Sequence, residues 1–220
     1  MEQPLRAEED LRIIRSLMER ATIYRAISAP TALLGGILAI LAAITIHLAE
    51  EPRSAYALQL GAQKFVAIWL FVLLLVLIAN TLFVWREAQK SGRPFISAGM
   101  KLALRAIAPC VLVFTAFTIC VLSAGYSNAA KLSLVTVWIA FYGLALLSTA
   151  LFAPRSLVLL GWAFLLTSLA VPLWDRLAGD QFALVPNLAM AVTFGVYHLI
   201  YAACTWRRKR TIPGDQPVLE

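Results

Sequence analysis

The chain has 220 residues, of which 61% are hydrophobic and 14% charged, with a mean hydropathy of +0.80. Soluble domains carry about 45–50% apolar residues, so this composition excludes an ordinary water-soluble fold. The formal net charge is +7, yet the basic residues are not gathered on a folded domain as a nucleic-acid footprint requires. No nucleic-acid partner is expected.

In chain order, residues 1–29 read as a cytoplasmic amphipathic segment. Over residues 9–28, Leu11, Ile13, Ile14, Leu17, Met18, Ala21 and Tyr24 share one half of a helical wheel, and Arg12, Arg15, Ser16, Glu19, Arg20 and Thr22 share the other. Such a helix lies on a bilayer surface with its apolar face down and its arginines toward anionic headgroups. A docking helix for a protein partner and a simple extension of the first span are the alternatives.

Six apolar runs come next, at 30–49, 65–85, 106–124, 132–152, 156–173 and 186–206. Each approaches the roughly 20 residues that a helix needs to cross a hydrocarbon core. The fold class is therefore all-α: a polytopic six-transmembrane-helix bundle, one membrane domain over 30–206, with a basic tail at 207–220. The first run comes after a long charged segment, so no cleaved signal peptide is expected and the first helix stays in the mature protein.

The first run opens on Pro30, which is tolerated in a first helical turn. Gly35, Ala39 and Ala43, with Ala32 and Gly36 beside them, form a small-residue stripe that lets helices approach closely. That stripe suits packing within the bundle or against a second copy in a homo-oligomer. Ser91-Gly92-Arg93-Pro94 marks a turn in the second gap. Lys101 and Arg105 sit one turn apart on one face, placed to reach headgroups. Pro109 is expected to kink the third helix. Ala153-Pro154-Arg155 leaves a very short link, so helices four and five form a tight hairpin. Trp174 reads as an interfacial anchor.

Charge fixes an expected orientation. The N-terminal tail holds five Lys or Arg, the second gap five, Arg155 stands in the fourth gap, and Arg207, Arg208, Lys209 and Arg210 close the chain. These fifteen outweigh the four (Arg53, Lys64, Lys131 and Arg176) in the alternate gaps. Short loops rich in Lys and Arg stay cytoplasmic, so both termini are expected inside. The basic residues Arg12, Arg15, Arg20 and Arg207–Arg210 would then face anionic lipid or a cytoplasmic protein partner.

Chemistry inside the spans is sparse. No HExxH, GxSxG, Walker A or CxxC occurs, and no catalytic residue is assigned. Cys110, Cys120 and Cys204 lie within apolar runs and form no disulfide framework. Shared haem or metal ligation needs His47 and His198 at one depth. At 1.5 Å per residue they lie about 25 Å and about 12 Å from the same side, so no cofactor or metal is expected. His198, flanked by Tyr197 and Tyr201, is the interior polar candidate, with Asn80 as a further one. Its ordinary role is a buried imidazole bonded across the bundle; a ligand or proton contact is the functional reading. Asn80, Thr81, Thr115, Thr118, Tyr142, Ser148, Thr149, Thr167, Ser168, Asn187 and Thr193 are of the kind that commonly act as interhelical glue; they could also line a polar path, but no charged residue accompanies them.

LRIIRSLMERATIYRAISAP, the glycine pair opening the first helix, and FGVYHLIYAACTW before RRKR carry a resemblance. The chain resembles an uncharacterised family of small bacterial six-span inner-membrane proteins. Met18-Glu19-Arg20 and the Phe194–His198 stretch are the matching motifs. The resemblance implies a bacterial inner membrane and, through family members encoded beside small winged-helix regulators, a sensory or regulatory role. It carries over no catalytic residue. The leading expectation is a non-enzymatic sensory, regulatory or docking protein acting through its cytoplasmic helix. The alternatives are a channel or facilitator for a small neutral solute, and a cofactor-binding subunit of a membrane redox complex.

Overall fold

The computed structural model describes residues 29–50, 61–92, 96, 98–123, 128–151, 153–178 and 186–210. The amphipathic segment with Arg12, Arg15 and Arg20 lies outside the described residues. The described residues are helical, with no strand among them. The helices are α1 (Ala29–Glu50), α2 (Ala62–Ser91), α3 (Ala98–Ser123), α4 (Asn128–Ser148), α5 (Arg155–Ala178), α6 (Pro186–Met190) and α7 (Tyr197–Arg210). A π-helical segment, Ala191–Val196, joins α6 to α7. α6, the π segment and α7 together make the sixth of six helices long and apolar enough to cross a membrane.

Apolar residues surround most of these helices instead of marking one stripe, which is the pattern of a helix bathed in lipid. On α1 the small residues Ala32, Gly35, Gly36, Ala39, Ala42 and Ala43 are buried with Ile46. Leu33, Ile37, Leu41, Ile44 and Leu48 on the other side are exposed. The small-residue stripe thus packs within the bundle, against α2 on one flank and the sixth span on the other. α4 and α5 form the most extensive helix pair. The sixth span touches α1, α4 and α5, and α3 packs on α4. α2 and α3 form the periphery and expose Phe71, Leu74, Leu77, Leu112 and Ile119 among others. A contiguous apolar surface of this extent is not stable in water.

Two glycine pairs set the closest approaches. A Cβ on Gly36 would lie 3.0 Å from the carbonyl oxygen of Gly195, and one on Gly143 would lie 2.9 Å from that of Gly161. Only glycine lets backbones come this near. Gly92 ends α2 in the left-handed region, at φ 61°, and its N–H bonds the carbonyls of Ala88 and Gln89. The turn expected at Ser91–Pro94 is realised there as a glycine helix cap.

Four helices depart from the bounds of their apolar runs. α2 and α3 extend past the hydrocarbon window to include Arg86, Lys90, Lys101 and Arg105. α4 lies about four residues earlier than its run. Its last turn tightens through Thr149 N–H to Leu146 O and Ala150 N–H to Leu147 O bonds, because the chain must turn before Pro154. α5 continues through Pro172 to Ala178, so Trp174, Asp175 and Arg176 are helical and exposed, not in a loop. α3 likewise runs through Pro109 as one helix.

The early start of α4 corrects the placement of Lys131 in a solvated gap. Lys131 is a buried helical residue whose Nζ lies 2.8 Å from Oε1 of Glu50 at the end of α1. It also sits over the Phe65 ring, 5.7 Å from the centroid. This ion pair joins α1, α2 and α4 at one end of the bundle.

Candidate functional site

The polar interior is concentrated where α4, α5 and the sixth span meet. Tyr142 on α4 and His198 on α7 share a 2.7 Å hydrogen bond between Oη and Nε2. Beside it, Thr167 on α5 and Tyr197 on α7 share a 2.8 Å hydroxyl–hydroxyl bond. Consecutive residues of α7 therefore clamp two different neighbours.

The π segment makes this possible. A π turn takes in extra backbone and rotates the residues after it relative to the helix before it. Above the segment, Asn187 Nδ2 donates to Ala43 O on α1 at 2.5 Å. Below it, Tyr197 and His198 turn to α5 and α4. One span thus addresses α1 with its first turns and the α4–α5 hairpin with its later ones.

Aromatic rings enclose the His198 bond. Phe164, fully buried, lies 4.7 Å from Tyr142, 5.2 Å from Phe194 and 5.7 Å from both Tyr197 and His198, centroid to centroid. Phe194 stacks on His198 at an interplanar angle of 12°. Such pairs each add about 0.5–1.5 kcal/mol beyond area burial. His198 Nδ1 is buried and makes no well-formed hydrogen bond, although the backbone of Thr193 and Phe194 one turn back lies against the ring. That arrangement suits a proton on Nδ1 and a Tyr142 hydroxyl donating to Nε2, an assignment made from the network since hydrogens are inferred.

Of the sequence candidates, Tyr197 and His198 belong to this group, and Tyr201 is buried on the next turn near Tyr142. Asn80 is elsewhere: its Oδ1 accepts from Thr31 Oγ1 at 3.2 Å, tying α2 to α1. His47 is exposed on α1 and takes no part in the His198 group. Arg207, Arg208, Lys209 and Arg210 continue α7. Among the described residues no group of three His, Cys, Asp or Glu side chains is placed to hold a metal ion. The three cysteines are free thiols.

Sequence reading missed two features. Tyr142 appeared only as one hydroxyl among many, because its partner is 56 residues away. The π segment left no signal in composition or spacing.

The polar residues of the spans divide into two groups. Asn80, Thr118, Tyr142, Thr167 and Asn187 bond across helices. Thr81, Thr115 and Thr193 bond their own helix carbonyls four residues back. Ser148, Thr149 and Ser168 do so three residues back. A hydroxyl in an apolar medium needs a partner immediately, and its own helix supplies the nearest.

The architecture is that of a multi-pass helical membrane protein. No family model, curated protein or solved structure matches the chain.

Proposed function

We propose that this chain is a bacterial inner-membrane protein of sensory, regulatory or docking type, acting through its N-terminal segment and not as an enzyme. The supporting observation is that the deep imidazole of His198 has its Nε2 bonded to Tyr142 and its ring faces packed by Phe164 and Phe194. The interior is spent on holding helices together. Recognition is left to the basic chemistry of the two termini. An even number of spans would bring both termini to one side, and the Lys and Arg distribution supports the cytoplasm as that side. In this proposal residues 9–28, expected to be an amphipathic helix, share that side with Arg207–Arg210. In this reading the apolar face of residues 9–28 rests on lipid and its arginine face meets a cytoplasmic protein partner. The own-helix bonding of Thr81, Thr115 and Thr193 gives a solute path little support.

Site-specific photocrosslinking in intact cells tests this. A photoreactive residue at Arg12 or Arg15 is expected to capture a defined protein, and one at Ile14 to capture lipid. The Arg12→Glu/Arg20→Glu variant is expected to abolish capture from Arg15. Lipid adducts alone from every position refute the docking role.

A further inference from the structure

Two buried polar atoms in the half of the bundle that holds the Lys131–Glu50 pair bond nothing among the described residues. They are Nε1 of Trp69 on α2 and Oδ1 of Asn187 on α6. Trp69 is 5% exposed and Asn187 4%. An indole N–H can only donate, and an amide carbonyl can only accept. Turning the Asn187 amide round does not remove the mismatch. Its Nδ2 donates to Ala43 O, and that carbonyl has no proton to return.

The helix registers set the two atoms at one depth. α1 and α2 run antiparallel, with Thr31 bonded to Asn80 and a Cβ on Gly35 meeting Val76. The same register carried along the pair sets Ala42 opposite Trp69. A long helical side chain leans toward the N-terminus of its helix, which for α2 is the end where α1 finishes. The indole therefore reaches toward the level of Ala43, where Asn187 is anchored. Ala42 and Ala43 point about 100° apart on α1. Between those directions α1 presents Ala39 and, a turn further on, Ile46, both buried. Small side chains thus lie beside the indole and the amide alike.

We propose that one ordered water bridges Trp69 and Asn187, accepting from the indole N–H and donating to Oδ1. From Ala43 to the end of α1 at Glu50 is about 10 Å at 1.5 Å per residue. Polar groups at such depth are satisfied inside the protein, and buried waters serve groups that side chains leave unmet. A single oxygen meets both needs here. α2 packs chiefly on α1, so this water gives it a polar tie to the sixth span.

Nuclear magnetic resonance of the full chain in micelles, with ¹⁵N in the tryptophan indoles, tests the proposal. Trp69→Phe assigns the Trp69 signal. The Trp69 indole proton is expected to show direct cross-relaxation with water, opposite in sign between laboratory-frame and rotating-frame spectra, as a long-lived bound water gives. Asn187→Leu is expected to abolish it. A wild-type spectrum with no water peak, or with peaks of chemical exchange alone, would overturn the bridge whether or not the variant folds. So would a direct contact between the indole proton and the Asn187 amide protons without water. An undiminished water peak in Asn187→Leu would show that the water is not shared and overturn it as well.

Discussion

Gly143 and Gly35 both face a neighbouring helix, yet they predict opposite outcomes on substitution by alanine. At Gly143 the added Cβ would stand 2.9 Å from Gly161 O, 3.0 Å from Phe164 Cβ and 3.1 Å from Leu165 N. Two of these three are backbone atoms, and the third is fixed to backbone, so no rotamer change relieves the clash. The helices must separate by a few tenths of an ångström. Overpacking of this kind costs about 1–3 kcal/mol, and rigid neighbours place this case at the upper end. Alanine recovers about 1 kcal/mol of helix propensity over glycine, leaving a net loss of about 1–2 kcal/mol. At Gly35 the same methyl would lie 3.5 Å from both Val76 methyls, an ordinary contact. Gly35→Ala is therefore expected to be neutral or to stabilise by up to about 1 kcal/mol. Reversible unfolding in mixed micelles, followed by tryptophan fluorescence, measures both. Equal stability of Gly143→Ala and wild type would refute the argument. A loss above about 1 kcal/mol in Gly35→Ala would refute it too.

The polar contacts between helices make three further expectations. Tyr142→Phe removes the donor to His198, and cross-helix bonds in membranes average about 0.6 and reach about 1.7 kcal/mol; a double-mutant cycle with His198→Leu should return a coupling in that range, and a zero coupling would show that the 2.7 Å contact carries no energy. Glu50→Gln takes the carboxylate from a lysine whose side chain is 8% exposed, whereas Lys131→Met leaves a glutamate that is 27% exposed. Glu50→Gln should lower the thermal midpoint more, and the Glu50→Gln/Lys131→Met double variant should regain most of the loss, since with both charges gone no buried charge is left without its partner. Thr115→Val should fall within about 0.5 kcal/mol of wild type, because that hydroxyl serves only its own helix; Thr167→Val, which cuts the tie to Tyr197, should cost more in the same unfolding assay.

The spans were legible because hydrocarbon length and helix rise fix how many apolar residues a crossing needs. Their ends were not, since a hydropathy window sees the core and stops at charge. Arg86, Lys90, Lys101 and Arg105 remain helical beyond it. Lys131 looked like loop because its compensation is Glu50, 81 residues away. The same reason hid Tyr142. His198 was legible as an ionisable residue too deep to be incidental, but whether it was bonded or open depended on a partner from another helix. Asn80 shared its polarity and depth, and pairing with Thr31 took it to a different joint.

The two glycine crossings have a mechanical consequence. At Gly36–Gly195 and Gly143–Gly161, main chain comes close to main chain, so each of these two pairs of spans has little room to shift internally. The joint between the two pairs is different in kind. It consists of rings and two short polar contacts, and side chains there can roll where peptide groups cannot. A displacement of one pair of spans against the other would therefore be taken up first at Tyr142, Phe164, Phe194 and His198.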